Sequence, residues 1–211
     1  MTIKKRTKPE YWESAKNFLR SNDNILRHII DDTDNLKYLQ KTCTPFQTIA
    51  NAIIGQQISI AAADSITKRL KKACGTINKD NILKSSPSKL KKTGLSNQKV
   101  KYLKGFANHV DKNKHYFKTL EVMSDNEVSK ALCKLYGVGA WTAEMYLIFQ
   151  LLRPNILPLG DIGLINSINR VYNIKNPSIK KIIRISRCWE PYRTVAVWYM
   201  WRVIDLDIVE Y

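Results

Sequence analysis

Residues 124–170 read SDNEVSKALCKLYGVGAWTAEMYLIFQLLRPNILPLGDIGLINSINR, and the fold turns on Tyr136-Gly-Val-Gly-Ala140 in their middle. Ser124 and Glu127 stand at capping-box spacing, the serine oxygen accepting from a helix's opening amides while the glutamate reaches back. A helix is therefore expected from about Asp125. Val128, Ala131, Leu132 and Leu135 recur at helical steps along it. Gly137 and Gly139 then allow backbone angles and close approaches that a Cβ resists, which makes a tight turn. Ala140, Trp141, Ala143, Met145, Tyr146, Leu147 and Phe149 predict a second, largely buried helix. It ends at Arg153-Pro154, since proline has no amide to donate and cannot continue the ladder. The unit is helix, glycine hairpin, helix.

The opening amides of that second helix, with the positive end of its dipole, suit an anion such as a nucleic-acid phosphate. An ordinary helical hairpin has the same pattern, and Gly-x-Gly alone favours that reading. Beyond the proline loop, Asp161 stands before a helix predicted over Ile162–Val171. Aspartate is a favoured N-cap there, and a carboxylate held so rigidly is also suited to chemistry.

Upstream, two helices are expected between Glu10 and about Gln40, broken at Ser21-Asn22-Asp23-Asn24. Thr44-Pro45 opens a third, with Phe46, Ile49, Ala50, Ile53 and Ile54 on its apolar face. Gly55-Gln56-Gln57-Ile58-Ser59 breaks the chain before a helix from Ala61 that ends near Cys74-Gly75. Paired glutamines between apolar helices are, on their own, read as interhelix polar residues, although their amides also suit a base edge. A short basic helix covers Lys89–Lys92, and Ser96 caps another from about Asn97. That helix turns Val100, Leu103, Phe106, Ala107 and Val110 inward and Lys99, Lys101 and Lys104 outward. Further helices are expected at Ser178–Ser186 and in the aromatic run Trp189–Trp201.

Strand-like alternation is sparse throughout, so the fold class is all-α. The 211 residues carry 35 Lys and Arg against 18 Asp and Glu, a net charge of +17. Polyanions are the expected partners. No apolar run reaches transmembrane length and no signal-peptide pattern opens the chain, which predicts a soluble protein. Residues 1–9 form a basic leader, a solvated tail or a phosphate-touching arm. Cys43, Cys74, Cys133 and Cys188 lack the short paired spacings of a zinc site or an iron–sulfur cluster and are expected as small buried side chains. His28, His109 and His115 share no metal-ligand spacing.

Leu135-Tyr-Gly-Val-Gly-Ala-Trp-Thr-Ala143 followed by Leu157-Pro-Leu-Gly-Asp-Ile-Gly-Leu164 resembles the helix-hairpin-helix DNA glycosylase superfamily, and within it the alkylpurine branch of 3-methyladenine DNA glycosylase II. Gly-Gln-Gln-Ile-Ser at 55–59, the Gly94–Leu103 pattern and the closing Trp-x-Pro-aromatic-Arg run are also similar to that family, so the likeness spans about Thr44 to Trp201. The resemblance implies two helical lobes, about 40–125 and 10–39 plus 126–211, in a single glycosylase unit with the active site in the cleft between them. It implies Asp161 as the catalytic carboxylate, Gln57 as the residue that enters the vacated stack, and Trp141 and Trp201 as base-pocket walls. It implies further that Gly137, Val138, Gly139, Ala140 and Thr142 grip phosphate. Tyr136 departs from the family, in which proline is common at that place.

The expected substrate is double-stranded DNA with alkylated purines, acted on by a monomer without cofactor or iron–sulfur cluster, a monovalent cation at the hairpin being compatible with the family. Some members of the superfamily carry a four-cysteine cluster after the aspartate; here only Cys188 follows Asp161, so no such cluster is expected. Residues 1–43 are too few for the β-rich domain of longer relatives. Compartment follows the host: cytoplasm and nucleoid in a prokaryote, nucleus in a eukaryote. A glycosylase/lyase for oxidised bases and a non-catalytic DNA-binding module are the alternatives. Against the first stands the second residue after Gly139: the lyases have lysine there, and here it is Trp141. No lysine occurs between Lys134 and Lys175.

Overall fold

The computed structural model describes residues 8–33 and 37–204, so all of the expected basic leader except Lys8 and Pro9 lies outside the described residues. Every regular element among them is helical. In chain order these are α1 (Trp12–Asn22), α2 (Asn24–Thr33), α3 (Pro45–Gly55), α4 (Ile60–Cys74), α5 (Lys79–Lys84), α6 (Pro87–Lys91), α7 (Asn97–Lys112), α8 (Tyr116–Val122), α9 (Asp125–Cys133), α10 (Ala140–Met145), α11 (Ile162–Tyr172), α12 (Ile179–Ile185) and α13 (Arg193–Ile204). A π-helical turn, Tyr146–Gln150, continues α10, and a 3-10 turn, Ser186–Trp189, follows α12. No helix of the described residues is long and apolar enough to cross a membrane.

Local chemistry starts these helices where the side chains dictate. Thr44 and Gln47 close a reciprocal capping box with Pro45 in the first turn, and Ser124 and Glu127 close another at α9. Ser59, Asn78, Ser86, Ser96 and Ser178 each accept from the amide three residues on, each such cap being worth about 1 kcal/mol. The break between α1 and α2 narrows to Asp23, whose Oδ1 accepts from the amides of Ile25 and Leu26.

The described residues divide into two compact units, 42–151 on one side and 8–33, 37–41 and 152–204 on the other. Residues 126–151 therefore join the central segment and not the C-terminal half, which corrects the expected boundary. The cause is packing: α10 lies on α3 and α9, and the buried Thr48 hydroxyl donates to the Gln150 side-chain oxygen at 3.2 Å. In this central unit Phe46 stacks on Phe106 at 4.7 Å, among buried Ile49, Ile53, Leu103, Leu132 and Phe149.

The other unit is built round aromatic rings. Trp12 meets Trp198 edge-on at 5.0 Å and stacks on Tyr199 at 5.9 Å. Asp23 Oδ2 accepts from Trp189 Nε1 at 2.8 Å and from the Tyr172 phenol, tying the α1–α2 turn to the C-terminal helices. The loop after Pro154 is closed by Thr194, which donates to Arg153 O at 2.6 Å and accepts from the Ile156 amide at 2.9 Å.

The four cysteines are free, and none is fully buried: Cys133 is exposed and the others are half-buried. That corrects the expectation of buried thiols. Cys133 ends α9 on its outer side, while Cys74 and Cys188 take hydroxyl and carbonyl contacts that keep them near the surface.

Candidate active site

The hairpin forms at Tyr136–Gly139, between α9 and α10. Gly137 has φ +86°, and a Cβ there would lie 2.1 Å from the Tyr102 ring. Both the angle and the ring exclude any larger residue. Tyr102 also meets Tyr136 edge-on at 4.9 Å, and Tyr136, in place of the family's proline, is 68% exposed. Gly139 differs from Gly137. Its backbone is extended, and a Cβ would meet nothing within 4 Å. No side chain caps α10, and the first amides of any helix have no acceptor within it.

The expected grip narrows accordingly. The Val138 amide donates to Leu135 O at 3.0 Å and its side chain is buried. Thr142 is 1% exposed, and its hydroxyl oxygen accepts from Gln56 Nε2 at 2.9 Å. These two side chains hold the turn from beneath. Gly139 and Ala140 remain at the opening.

Gln56 was the glutamine that sequence reasoning passed over. Its amide nitrogen donates both to Thr142 and, at 2.9 Å, to Gly137 O. Gln57, next to it, is exposed, with φ +58°, a left-handed conformation that costs a residue with a Cβ about 1–2 kcal/mol. Ile58 and Ile60 follow it, both exposed. Lys99, expected on the outer face of α7, instead reaches the end of α3, and its ammonium donates to Ile54 O and Gln56 O, each at 2.7 Å. Burial lowers its pKa from the ordinary lysine value. Lys104 likewise turns in, onto Leu83 O at 2.8 Å. Periodicity placed their Cα atoms correctly, but long stems let the charged ends reach unpaired carbonyls at helix ends.

Asp161 belongs to the other unit. It caps α11, Oδ1 accepting from the Leu164 amide at 2.6 Å, and the same oxygen accepts from Trp201 Nε1 at 2.8 Å. The side chain is 8% exposed. Gly163 leaves room for this arrangement, since a Cβ there would lie 3.0 Å from Asp161 Oδ1 and 3.1 Å from Trp201 Cδ1 and would press both aside by a few tenths of an ångström. Ile162, in contrast, is 71% exposed beside the carboxylate. Trp141 and Trp201 are both half-buried, on α10 and α13 respectively. Among the described residues no three His, Cys, Asp or Glu side chains gather to hold a metal ion.

The family model of the HhH-GPD superfamily of base excision DNA repair proteins matches residues 50–191, the stretch that holds the glutamine turn, the glycine hairpin and the capped aspartate. The chain belongs to that superfamily. The alkylbase DNA glycosidase-like protein mag2 of Schizosaccharomyces pombe is 30% identical over 168 residues, covering 77% of this chain and 79% of its own length. The DNA-3-methyladenine glycosylase of Saccharomyces cerevisiae is 26% identical over 217 residues, covering 95% and 73%. Among solved structures, the Schizosaccharomyces pombe 3-methyladenine DNA glycosylase in complex with abasic DNA aligns with a TM-score of 0.81 at 25% identity, covering 90% of this chain and 95% of that one.

Proposed function

We propose that this superfamily member is a monofunctional DNA glycosylase that binds duplex DNA, turns out an alkylated purine and hydrolyses its C1′–N bond, leaving an intact abasic site for base excision repair. The observation that carries the reading is Asp161, a nearly buried carboxylate with one oxygen fixed by the Leu164 amide and the Trp201 indole. Breaking the glycosidic bond builds positive charge on the sugar, and a fixed carboxylate opposes it. At about 4 Å and an effective dielectric near 20 the attraction is about 4 kcal/mol, against about 1 in bulk water.

The bond electrons leave with the base, whose positive charge they neutralise. Alkylation at N3 or N7 of a purine supplies that charge in advance, so little acid assistance is needed at the leaving nitrogen. Asp161 orients the water, which adds to C1′ and gives its proton to the Asp161 carboxylate, from which it passes to solvent. Hydrolysis of this kind requires no cofactor. Trp141 stands where a lyase has its lysine nucleophile, and an indole cannot form an imine with C1′. Trp141 and Trp201 offer electron-rich faces to a cationic base, a contact worth ~0.5–2 kcal/mol. Gln57 enters the stack as the base leaves, and the amides above Gly139 receive a phosphate. The proposed lesions are 3-methyladenine, 7-methylguanine and related alkylpurines, and the proposed acting form is a monomer.

The test is chromatography of bases released from methylated duplex DNA, with the strand examined on a gel before any heat or alkali. Release of 3-methyladenine and 7-methylguanine with an unbroken strand is expected. A protein–DNA adduct trapped by borohydride would replace this reading with a glycosylase/lyase, and DNA binding without base release would leave a binding module.

A further inference from the structure

Gln57 projects from the turn between α3 and α4 with its backbone in the left-handed region. Such a conformation in a residue with a Cβ persists only when its surroundings enforce it. Two side chains hold this turn. Lys99, from α7, donates to the carbonyls of Ile54 and Gln56, immediately before the bend. Gln56, inside the bend, donates to Gly137 O in the hairpin and to the Thr142 hydroxyl behind it. The Gln57 side chain is exposed, and Ile58 and Ile60 are exposed beside it. The projecting tip is thus free towards solvent while the residues just before it, Ile54 to Gln56, are fixed from two directions.

A helix could be capped more simply. Carbonyls at a helix end are commonly served by a glycine in the following turn or by solvent. Here a lysine is drawn from another helix and partly desolvated to do it, next to an exposed amide side chain. Gln56 adds a second feature that capping does not need, because its partner Gly137 belongs to the hairpin turn itself. The turn that carries Gln57 and the hairpin that receives phosphate are therefore parts of one hydrogen-bonded assembly.

We propose that Lys99 and Gln56 are positioning residues for base eversion: together they hold Gln57 in the geometry that enters the DNA stack and fix that turn to the phosphate-gripping hairpin. The proposal rests on the glycosylase reading for its excision measurements but not for its DNA-distortion measurement. Neither residue touches the base. Each acts through Gln57, so its importance depends on how intact the stack is.

Gln56→Met keeps side-chain length, Lys99→Met shortens it by one atom, and both remove the donors. Single-turnover release of 7-methylguanine is measured from a duplex in which the lesion is paired with cytosine, and from one in which it faces a one-nucleotide gap. Each variant is expected to lose about tenfold on the paired substrate and no more than about twofold on the gapped one. In a Gln57→Ala background, Lys99→Met is expected to add no further loss, since two residues acting through one step are not additive. Equal losses on both substrates, or full additivity with Gln57→Ala, overturn the proposal and return Lys99 to plain helix capping. Thermal melting accompanies each variant, and Gln56→Met carries the test if Lys99→Met does not fold.

The second arm needs no catalysis. A 2-aminopurine placed beside a tetrahydrofuran abasic analogue brightens when its stack is opened, and the wild-type protein is expected to brighten it. Lys99→Met and Gln56→Met should bind without doing so, whereas Lys101→Met, which removes a charge from the exposed face of α7, should behave as wild type. Unstacking that depends on Lys99, with no base released by any protein, would uphold the positioning role while refuting the glycosylase reading. No unstacking by the wild type, or equal unstacking by Lys99→Met, refutes the positioning role.

Discussion

Trp201 Nε1 donates to Asp161 Oδ1 at 2.8 Å, the same oxygen that caps α11 through the Leu164 amide. One carboxylate oxygen is thus fixed from two directions, by a helix end and by an indole on α13. Replacing Trp201 by Phe keeps an aromatic ring and removes the N–H. The carboxylate should then lose orientation without losing its cap. A fall in kcat of about tenfold is expected, about 1.4 kcal/mol, with DNA affinity changed less than threefold. Single-turnover excision beside fluorescence anisotropy on an abasic-analogue duplex separates these two quantities.

The two hairpin glycines should fail in different ways. A Cβ at Gly137 would overlap the Tyr102 ring and oppose a φ of +86°, so Gly137→Ala should destabilise the central unit by roughly 1–3 kcal/mol. A Cβ at Gly139 enters open space. Gly139→Leu should therefore melt within about 2 °C of wild type, yet bind all duplexes more weakly, with or without a lesion. Melting curves and binding isotherms on both DNAs check the pair.

Asp23 holds the other unit together at a turn. Its Oδ1 caps α2 while its Oδ2 receives the Trp189 indole and the Tyr172 phenol. Burial, and after it Asp23, pushes the Tyr172 phenol far above its ordinary pKa, so it stays a donor. Asp23→Ala strands both donors and removes a cap. A loss of about 2–4 kcal/mol is expected from denaturant unfolding. Tyr172→Phe should cost less, because one partner then disappears along with its polar group.

Glu127 gives α9 a pH dependence. The Ser124 hydroxyl, then the Ser124 amide, hold its carboxyl below the ordinary carboxylate range. A carboxyl lowered in the folded state contributes stability that is complete above the unfolded pKa, about 4.3, and is lost as pH falls through the lower folded value. Amide protection at the start of α9 should accordingly be greater at about pH 5.5 than at about pH 3. Glu127→Gln should remove most of that difference. Unchanged protection across this window in the wild type would refute the box as a stabilising element.

Features set by neighbours in sequence were legible from the residues. The Ser124–Glu127 box, the Thr44-Pro45 start and the Asp161 cap each depend on spacings of about one helical turn, and all three form. Long-range preferences were not legible. Helical periodicity assigned Lys99 to solvent, but a four-carbon stem carries its ammonium to α3. The hairpin was expected to join the C-terminal half, yet Gln56, Gln150 and the bed of α3 bind it to the central unit. Thr142 faces Gln56 because the second helix rotates it inward, which the Gly-x-Gly signature does not reveal. The π-helical turn at Tyr146–Gln150 likewise has no proline or glycine to announce it. The Trp201–Asp161 bond joins positions 40 residues apart, and only the family likeness brought them to the same list.

The most direct measurement of the central claim is base release by Asp161→Asn beside the wild type, on one methylated duplex. The substitution keeps size and a capping oxygen and removes the charge that opposes the developing cation. The wild type is expected to release 3-methyladenine and 7-methylguanine, and the variant to release neither above background while binding lesion DNA within about tenfold of wild type. Release by Asp161→Asn within a few-fold of wild type would contradict the account.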